Sequence, residues 1–277
     1  MKKIKKFKNP RKKRFIIEMN EDIDRTVDKA LSLIENGRLD QGAAILQRLT
    51  AEHPGYHFVQ YGMGVVYALT KKYDDAILCF KKAVEIFPHF IDAQFNLAVT
   101  YQKKLDVGNT IRAYQKVVAM GAPGDPLVVQ ARDFLSGMEE CVRKNDGVGL
   151  DVYLKGMDKF EKAFAKMEKQ EWPAAIEGFK ECLAIVKRNF QSYGNMGICY
   201  AKLGKKEQAL ASFDKALELN PRYEIAAVNR ALTLNLREGE KLPDGTVESV
   251  DFSRDYAHKK RSYISELTEA VKRKWNE

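Results

Sequence analysis

Histidine is scarce, the cysteines fall into no ligand spacing, and no apolar run is long. The four histidines are His53, His57, His89 and His258. His53 and His89 flank prolines in predicted loops, and Pro54-Gly55 separates His53 from His57, so that pair shares no helical face and no metal site is expected. Cys79, Cys141, Cys182 and Cys199 form no CxxC motif, and each falls among apolar residues of a predicted helix, which reads as buried thiols in a reducing compartment. There is no phosphate loop, no dinucleotide fingerprint and no Gly-x-Ser-x-Gly elbow. Acidic pairs such as Asp74-Asp75 and Glu139-Glu140 read as solvated helix faces rather than acid–base machinery. The expectation is a protein that is not an enzyme, with no cofactor and no small-molecule substrate. The longest uncharged runs, such as 57–70, are too short and too polar to cross a bilayer. Behind the basic start, Phe15-Ile16-Ile17 runs straight into Glu18, which leaves no apolar core for a signal segment. A cytoplasmic location is expected, with the nucleus open in a eukaryote.

Acidic residues are missing entirely from 1–14, where Lys2, Lys3, Lys5, Lys6, Lys8, Arg11, Lys12, Lys13 and Arg14 stand. Removing those nine cations from the 47 of the whole chain leaves 38 facing 38 acids, so the tail carries the entire net charge of +9. Such a segment is too charged to pack and is expected to be disordered. Three uses stay open: RNA or another polyanion bound by counterion release, attraction to an anionic membrane surface, or solubility alone. Arg11-Lys12-Lys13-Arg14 also fits a nuclear localisation run.

What the chain has in abundance is repetition. Residues 57–90 read as two amphipathic helices with a corner at Lys71-Lys72 and an end at Pro88. A step of 34 residues in either direction finds the same unit, at 23–56 and 91–124, and a second phased set lies at 156–189, 190–223 and part of 224–257. The eighth place holds only small residues: Ala30, Gly64, Ala98, Ala163, Gly197 and Ala231. A glycine inside a helix costs about 1 kcal/mol against alanine and is kept where another backbone comes close. The twentieth place is small as well, at Gly42, Ala76, Thr110, Ala175 and Ala209. Large residues fill the twenty-fourth, at Leu46, Phe80, Tyr114, Phe179 and Phe213, and Pro54, Pro88 and Pro221 close three units.

These residues resemble the tetratricopeptide repeat, whose pattern is a small residue, an aromatic, Ala-x3-Phe and then proline over 34 residues. The resemblance implies an all-α fold, an α-solenoid of helix-turn-helix repeats in two arrays, with an intervening extra helix and a C-terminal capping helix. The expected organisation is a basic, disordered tail at 1–22, three repeats at 23–124, and a capping or spacer helix with its linker at 125–150. A second array of about two and a half repeats follows at 151–251, and the cap at 252–277. Asp125-Pro126 is a firm start for the extra helix. That helix is read with Val129, Phe134, Leu135, Met138 and Val142 inward. Asn145–Gly149 is the clearest linker, and 238–250 is a loop where a repeat would have its second helix.

The family's first helices line a concave side, so the resemblance implies a groove for a peptide or helix of another protein. Its candidate lining is Tyr61, Val65, Phe95, Asn96 and Val99 in the first array, and Phe160, Phe164, Asn195, Ile198 and Asn229 in the second. The bland alternative is that some of these rings are ordinary packing between units. The family's two-carboxylate clamp for chaperone tails is absent: Asn195 fits, but Phe160, Phe164, Ile225 and Asn229 do not, nor do Gly62 and Asp92 in the first array. The leading expectation is a non-catalytic interaction scaffold, and the alternative is a polyanion-associated protein whose repeats recruit a partner.

Overall fold

Small and large residues at fixed offsets are realised as helices folded back in pairs. The computed structural model describes residues 3–7 and 15–243, with 3–7 and 15–19 described by their backbone alone. Helices α1 (Glu21–Glu35) and α2 (Leu39–Glu52) form the first pair, α3 (His57–Leu69) and α4 (Tyr73–Ile86) the second, α5 (Ile91–Lys103) and α6 (Val107–Met120) the third. After α7 (Pro126–Asp146) come α8 (Leu150–Glu168) with α9 (Trp172–Ile185), α10 (Phe190–Lys202) with α11 (Lys206–Leu219), and α12 (Glu224–Leu234). The chain divides into two compact units, 1–133 and 134–277, so the boundary falls inside α7. The repeat body is all-α. No described helix is long and apolar enough to cross a membrane.

Each pair closes on the contact the spacing anticipates. A β-carbon added at Gly64 on α3 would come 2.6 Å from Phe80 Cε1 on α4, and one at Gly197 on α10 would come 2.6 Å from Phe213 Cε1 on α11. Phe80, Phe179 and Phe213 are at most 1% exposed, as is Leu46. The eighth place is buried in five units, but Ala231 on α12 is exposed. Among the described residues α12 has no second helix to cover it, and 238–243 is loop. The expected C-terminal cap at 252–277 lies outside the described residues.

The corners share one backbone device. At the fifteenth place of each complete unit the chain turns left-handed: Gly37 (φ 78°), Lys71 (61°), Leu105 (63°), Gln170 (61°) and Gly204 (71°). The following amide donates across the corner to the eleventh place, as in Arg38 N to Leu33 O (2.9 Å), Lys72 N to Tyr67 O (2.9 Å), Asp106 N to Tyr101 O (3.0 Å), Glu171 N to Lys166 O (2.9 Å) and Lys205 N to Tyr200 O (3.0 Å). This is the Schellman closure, which satisfies carbonyls a helix end would leave bare. Three of the five residues bearing the left-handed angle carry a side chain, at a steric cost of about 1–2 kcal/mol each.

In its elements and their connections the structure departs from the sequence reading in four places. The segment expected to be disordered pairs as an antiparallel ladder, β1 (Lys3–Phe7) with β2 (Phe15–Met19), in the register Lys3↔Met19 to Phe7↔Phe15. Isoleucine and phenylalanine in both segments favour a strand, and charge alone did not reveal that. On α7 the buried residues of the first turns are Val128 and Ala131, while Val129 is 42% exposed; Val128 closes over Gly121. Asn145 and Asp146 belong to α7, so the linker shrinks to 147–149. Glu139 is not merely solvated: its carboxylate accepts from the Leu150 amide at the start of α8 (2.8 Å) and holds Arg143 (2.6 Å).

Gly64→Leu and Gly197→Leu are each expected to lower stability by about 1–3 kcal/mol through overpacking. Gly137→Ala, a helical position with open space around it, should instead raise stability by about 1 kcal/mol. Denaturant titration followed by circular dichroism checks both signs. At the corners, Leu105→Gly should stabilise by up to about 1 kcal/mol, the relieved angle outweighing the extra freedom of the unfolded chain. The same titration reads that gain.

Candidate functional site

The first helices of unit 1 present one continuous face, because α3 packs against α1 on one side and α5 on the other. Tyr61, Val65, Phe95, Asn96 and Val99 are all half-buried there. The Asn96 amide on α5 donates to the Tyr61 hydroxyl on α3 (3.0 Å), which ties the two helices across that face. Tyr61 lies against Phe58 (ring centroids 5.9 Å), Phe80 (5.9 Å) and Phe90 (4.9 Å), and Phe95 meets Tyr114 edge-on (5.6 Å). The rings are propped from behind, and each keeps part of its surface outside the core.

Behind this row the aromatic packing continues into the core. His57 is buried between Phe87 (5.1 Å) and Phe90 (5.5 Å), and burial lowers its pKa while the Asp24 carboxylate pulls the other way. That is a packed histidine. Tyr56 accepts from the Asn20 amide (2.9 Å) and donates to Asp24 (2.8 Å), so one phenol locks the start of α1; burial pushes its pKa up to about 12. Burial likewise raises Tyr61 to about 12, with the charges of Asp92 and Glu35 adding to the shift.

Unit 2 treats the same places differently. Phe160 (1% exposed), Asn195 (0%), Ile198 (2%) and Asn229 (2%) are core residues, and only Phe164 of the five candidates is half-buried. Phe160 lies edge-on to Phe179 (5.3 Å) and stacks with Phe164 (6.2 Å). At the fifth place of the next unit Gly194 leaves room for Tyr223, whose Cε1 would stand 2.7 Å from an added β-carbon. The Tyr223 ring fills that room, packs edge-on to Phe190 (4.9 Å) and is itself 2% exposed. Four residues expected to line a groove are thus corrected to packing residues. Val228, the fifth place on α12, is the opposite case at 57% exposed.

No cluster of three metal-ligating side chains occurs among the described residues, and no disulfide joins the four cysteines. Burial raises the pKa of Cys182, and that of Cys199 to about 12, which makes their thiolates scarce. The cationic candidates Lys2, Lys8, Arg11, Lys12, Lys13 and Arg14 lie outside the described residues, and Lys3, Lys5 and Lys6 sit on β1. The sequence reading missed Asp146, the last residue of α7. Burial there lifts its carboxyl from 3.8 to about 6 against the opposing pull of Arg188.

A family model of the tetratricopeptide repeat matches residues 58–90 and 190–223, and a second tetratricopeptide model matches 28–56. These stretches are tetratricopeptide repeats. Superkiller protein 3 of Saccharomyces cerevisiae is 33% identical over 70 residues, a stretch covering 25% of this chain and 5% of that protein. Similar solved structures include the P58(IPK) TPR domain, at 15% identity over 76% of this chain and 55% of that one, TM-score 0.39. YrrB, described as a TPR protein with an unusual peptide-binding site, is 17% identical over 76% of this chain and 95% of its own, TM-score 0.38. The TPR2AB domain of yeast Sti1 in complex with pHSP90 is 17% identical over 77% and 84%, TM-score 0.38.

The raised Asp146 carboxyl opposes folding when ionised, so its neutral form adds stability below pH 4 that is lost as pH rises through about 6. Asp146→Asn should therefore be more stable than the parent at pH 7.5 by about 3 kcal/mol at most, at 1.36 kcal/mol per pKa unit. The gap should narrow through pH 6 and close near pH 4. Paired denaturant titrations across that range check it.

Proposed function

We propose that this tetratricopeptide-repeat protein is a non-catalytic adaptor that holds an extended segment or helix of another protein on the α1–α3–α5 face of unit 1. The observation that carries the reading is the contrast between the units. Tyr61, Val65, Phe95, Asn96 and Val99 on α3 and α5 remain half-buried in a row, while most of their counterparts in unit 2 are consumed by packing. Val65 and Val99 at the ninth places, with Phe95 at a fifth, give a segment apolar contacts one turn apart. Asn96 offers an amide between them, though one of its Nδ2 hydrogens is already committed to Tyr61. The second Nδ2 hydrogen can donate to a peptide carbonyl, and the amide oxygen can accept from a peptide N–H. Apolar rings that keep a wet face are the usual anchors of protein interfaces.

Replacing Val65 and Phe95 together by alanine should lower partner capture from native lysate at least about tenfold, roughly 1.4 kcal/mol or more of lost contact. Helical content by circular dichroism should stay that of the parent. Capture that survives the double change at full strength sinks the assignment of this face. The comparison uses quantitative mass spectrometry of proteins retained by parent and variant side by side.

A further inference from the structure

The aromatic cluster on α3 and at the start of α5 is bordered by carboxylates that form no ion pair among the described residues. Phe58, Tyr61 and Phe90 are mutually in contact, with centroids 5.9, 4.9 and 6.1 Å apart, and all three are half-buried. Glu35 ends α1 and Asp92 opens α5, so they approach Tyr61 from the two neighbouring helices; both charges are felt at its hydroxyl. Both side chains are exposed, and among the described residues neither has an ion-pair partner. Helix α3 itself carries no charged residue.

Four cations of α1 and of the α5 end are occupied or stand away from the row. Arg25 is shared between Glu21 (3.7 Å) and Asp22 (3.9 Å), and Lys104 is paired with Asp74. Lys29 is two residues from the buried Val27, about 200° round the helix and hence on its opposite side. Lys103 stands at the far end of α5, eleven residues and about 16 Å from Asp92. Exposed Asp28 on α1 adds a third carboxylate without a cationic partner among the described residues.

We propose that this face selects a cationic segment of its protein partner, one in which lysine or arginine alternates with apolar residues. The cationic heads lie over the Phe58, Tyr61 and Phe90 rings and meet Glu35 and Asp92. A cation over an aromatic face is attracted by the ring quadrupole, and a carboxylate at the rim supplies a charge-assisted hydrogen bond. The apolar residues of the segment rest on Val65, Phe95 and Val99. The inference rests on the peptide-holding reading of this face and adds the charge of what is held. It runs against the chain's net charge of +9, which by itself would gather acidic peptides.

The test is selection of random dodecapeptides displayed on phage by the full chain, in parallel with its Glu35→Gln/Asp92→Asn and Val65→Ala/Phe95→Ala variants. The expected result is enrichment of peptides rich in lysine or arginine with apolar neighbours. Their synthetic forms should bind the Glu35→Gln/Asp92→Asn variant about tenfold or more weakly. Both substituted carboxylates are exposed, and circular dichroism verifies that the variant keeps its helices. If the enriched peptides are neutral or acidic yet still need Val65 and Phe95, the charge assignment is overturned and the peptide-holding reading stands. If no enriched peptide depends on Val65 and Phe95, both are overturned.

Discussion

Everything in this chain depends on how close two helices of a pair can come. At Gly64 and Gly197 the facing ring of Phe80 or Phe213 occupies the volume a β-carbon would need, 2.6 Å from the ring edge. Where the eighth place is alanine the partner gives way instead: an added carbon at Gly178 would stand 2.7 Å from the Ala163 methyl, and one at Gly42 would meet the Ala30 carbonyl at 2.5 Å. One member of each contact must be small, and which one is a matter of local history. That close approach sets the pair, the pair sets the stacking of the next unit, and stacking brings α1, α3 and α5 side by side. The α1–α3–α5 face is a third-order consequence of a steric rule.

Because the rule is steric and periodic, most of the fold was legible before any coordinates. The two helices read over 57–90 meet at Lys71-Lys72 and stop short of Pro88, and α7 starts at Pro126 as Asp125-Pro126 announced. The left-handed corners were legible only in part. Gly37 and Gly204 announce the turn, but Lys71, Leu105 and Gln170 do not, since none is a residue type that favours it. The Schellman hydrogen bond and the packing of the two helices over-determine the corner, so the side chain's steric cost is absorbed. Propensity is a local quantity and was overruled by a non-local one. The same is true of β1 and β2, where charge predicted disorder and ladder pairing won.

The candidate site was legible as a direction and not as a surface. The fifth and ninth places tell which way a side chain points from its helix. They do not tell whether another side chain has reached the space first. Tyr61 and Gly194 hold the same fifth place, and each unit ends on a ring, Phe90 or Tyr223. Where the fifth place is tyrosine, Phe90 lies against it at 4.9 Å and holds it half in solvent. Where it is glycine, Tyr223 occupies the vacated volume and Asn195 and Ile198 beside it are sealed. One absent side chain converts a lining into a core. Asp146 was illegible for a related reason, since its burial follows from the length of α7, which the sequence reading ended two residues earlier.

The carboxylates beside Tyr61 belong to a chain that is positive overall, and range decides which charges matter. The excess of nine cations lies wholly within residues 1–14, while the rest of the chain balances. At physiological salt, interactions between exposed charges fade over about 8 Å, so the net charge of a chain does not fix the charge met at one face. Glu35 and Asp92 stand on the helices to either side of α3, and their charges add to the burial that raises the Tyr61 pKa. On the proposed reading, a cationic segment would answer the two carboxylates beside Tyr61 on a chain that is positive overall. Bulk charge acts on encounter from afar and local carboxylates act on contact, so the two can favour opposite partners without contradiction.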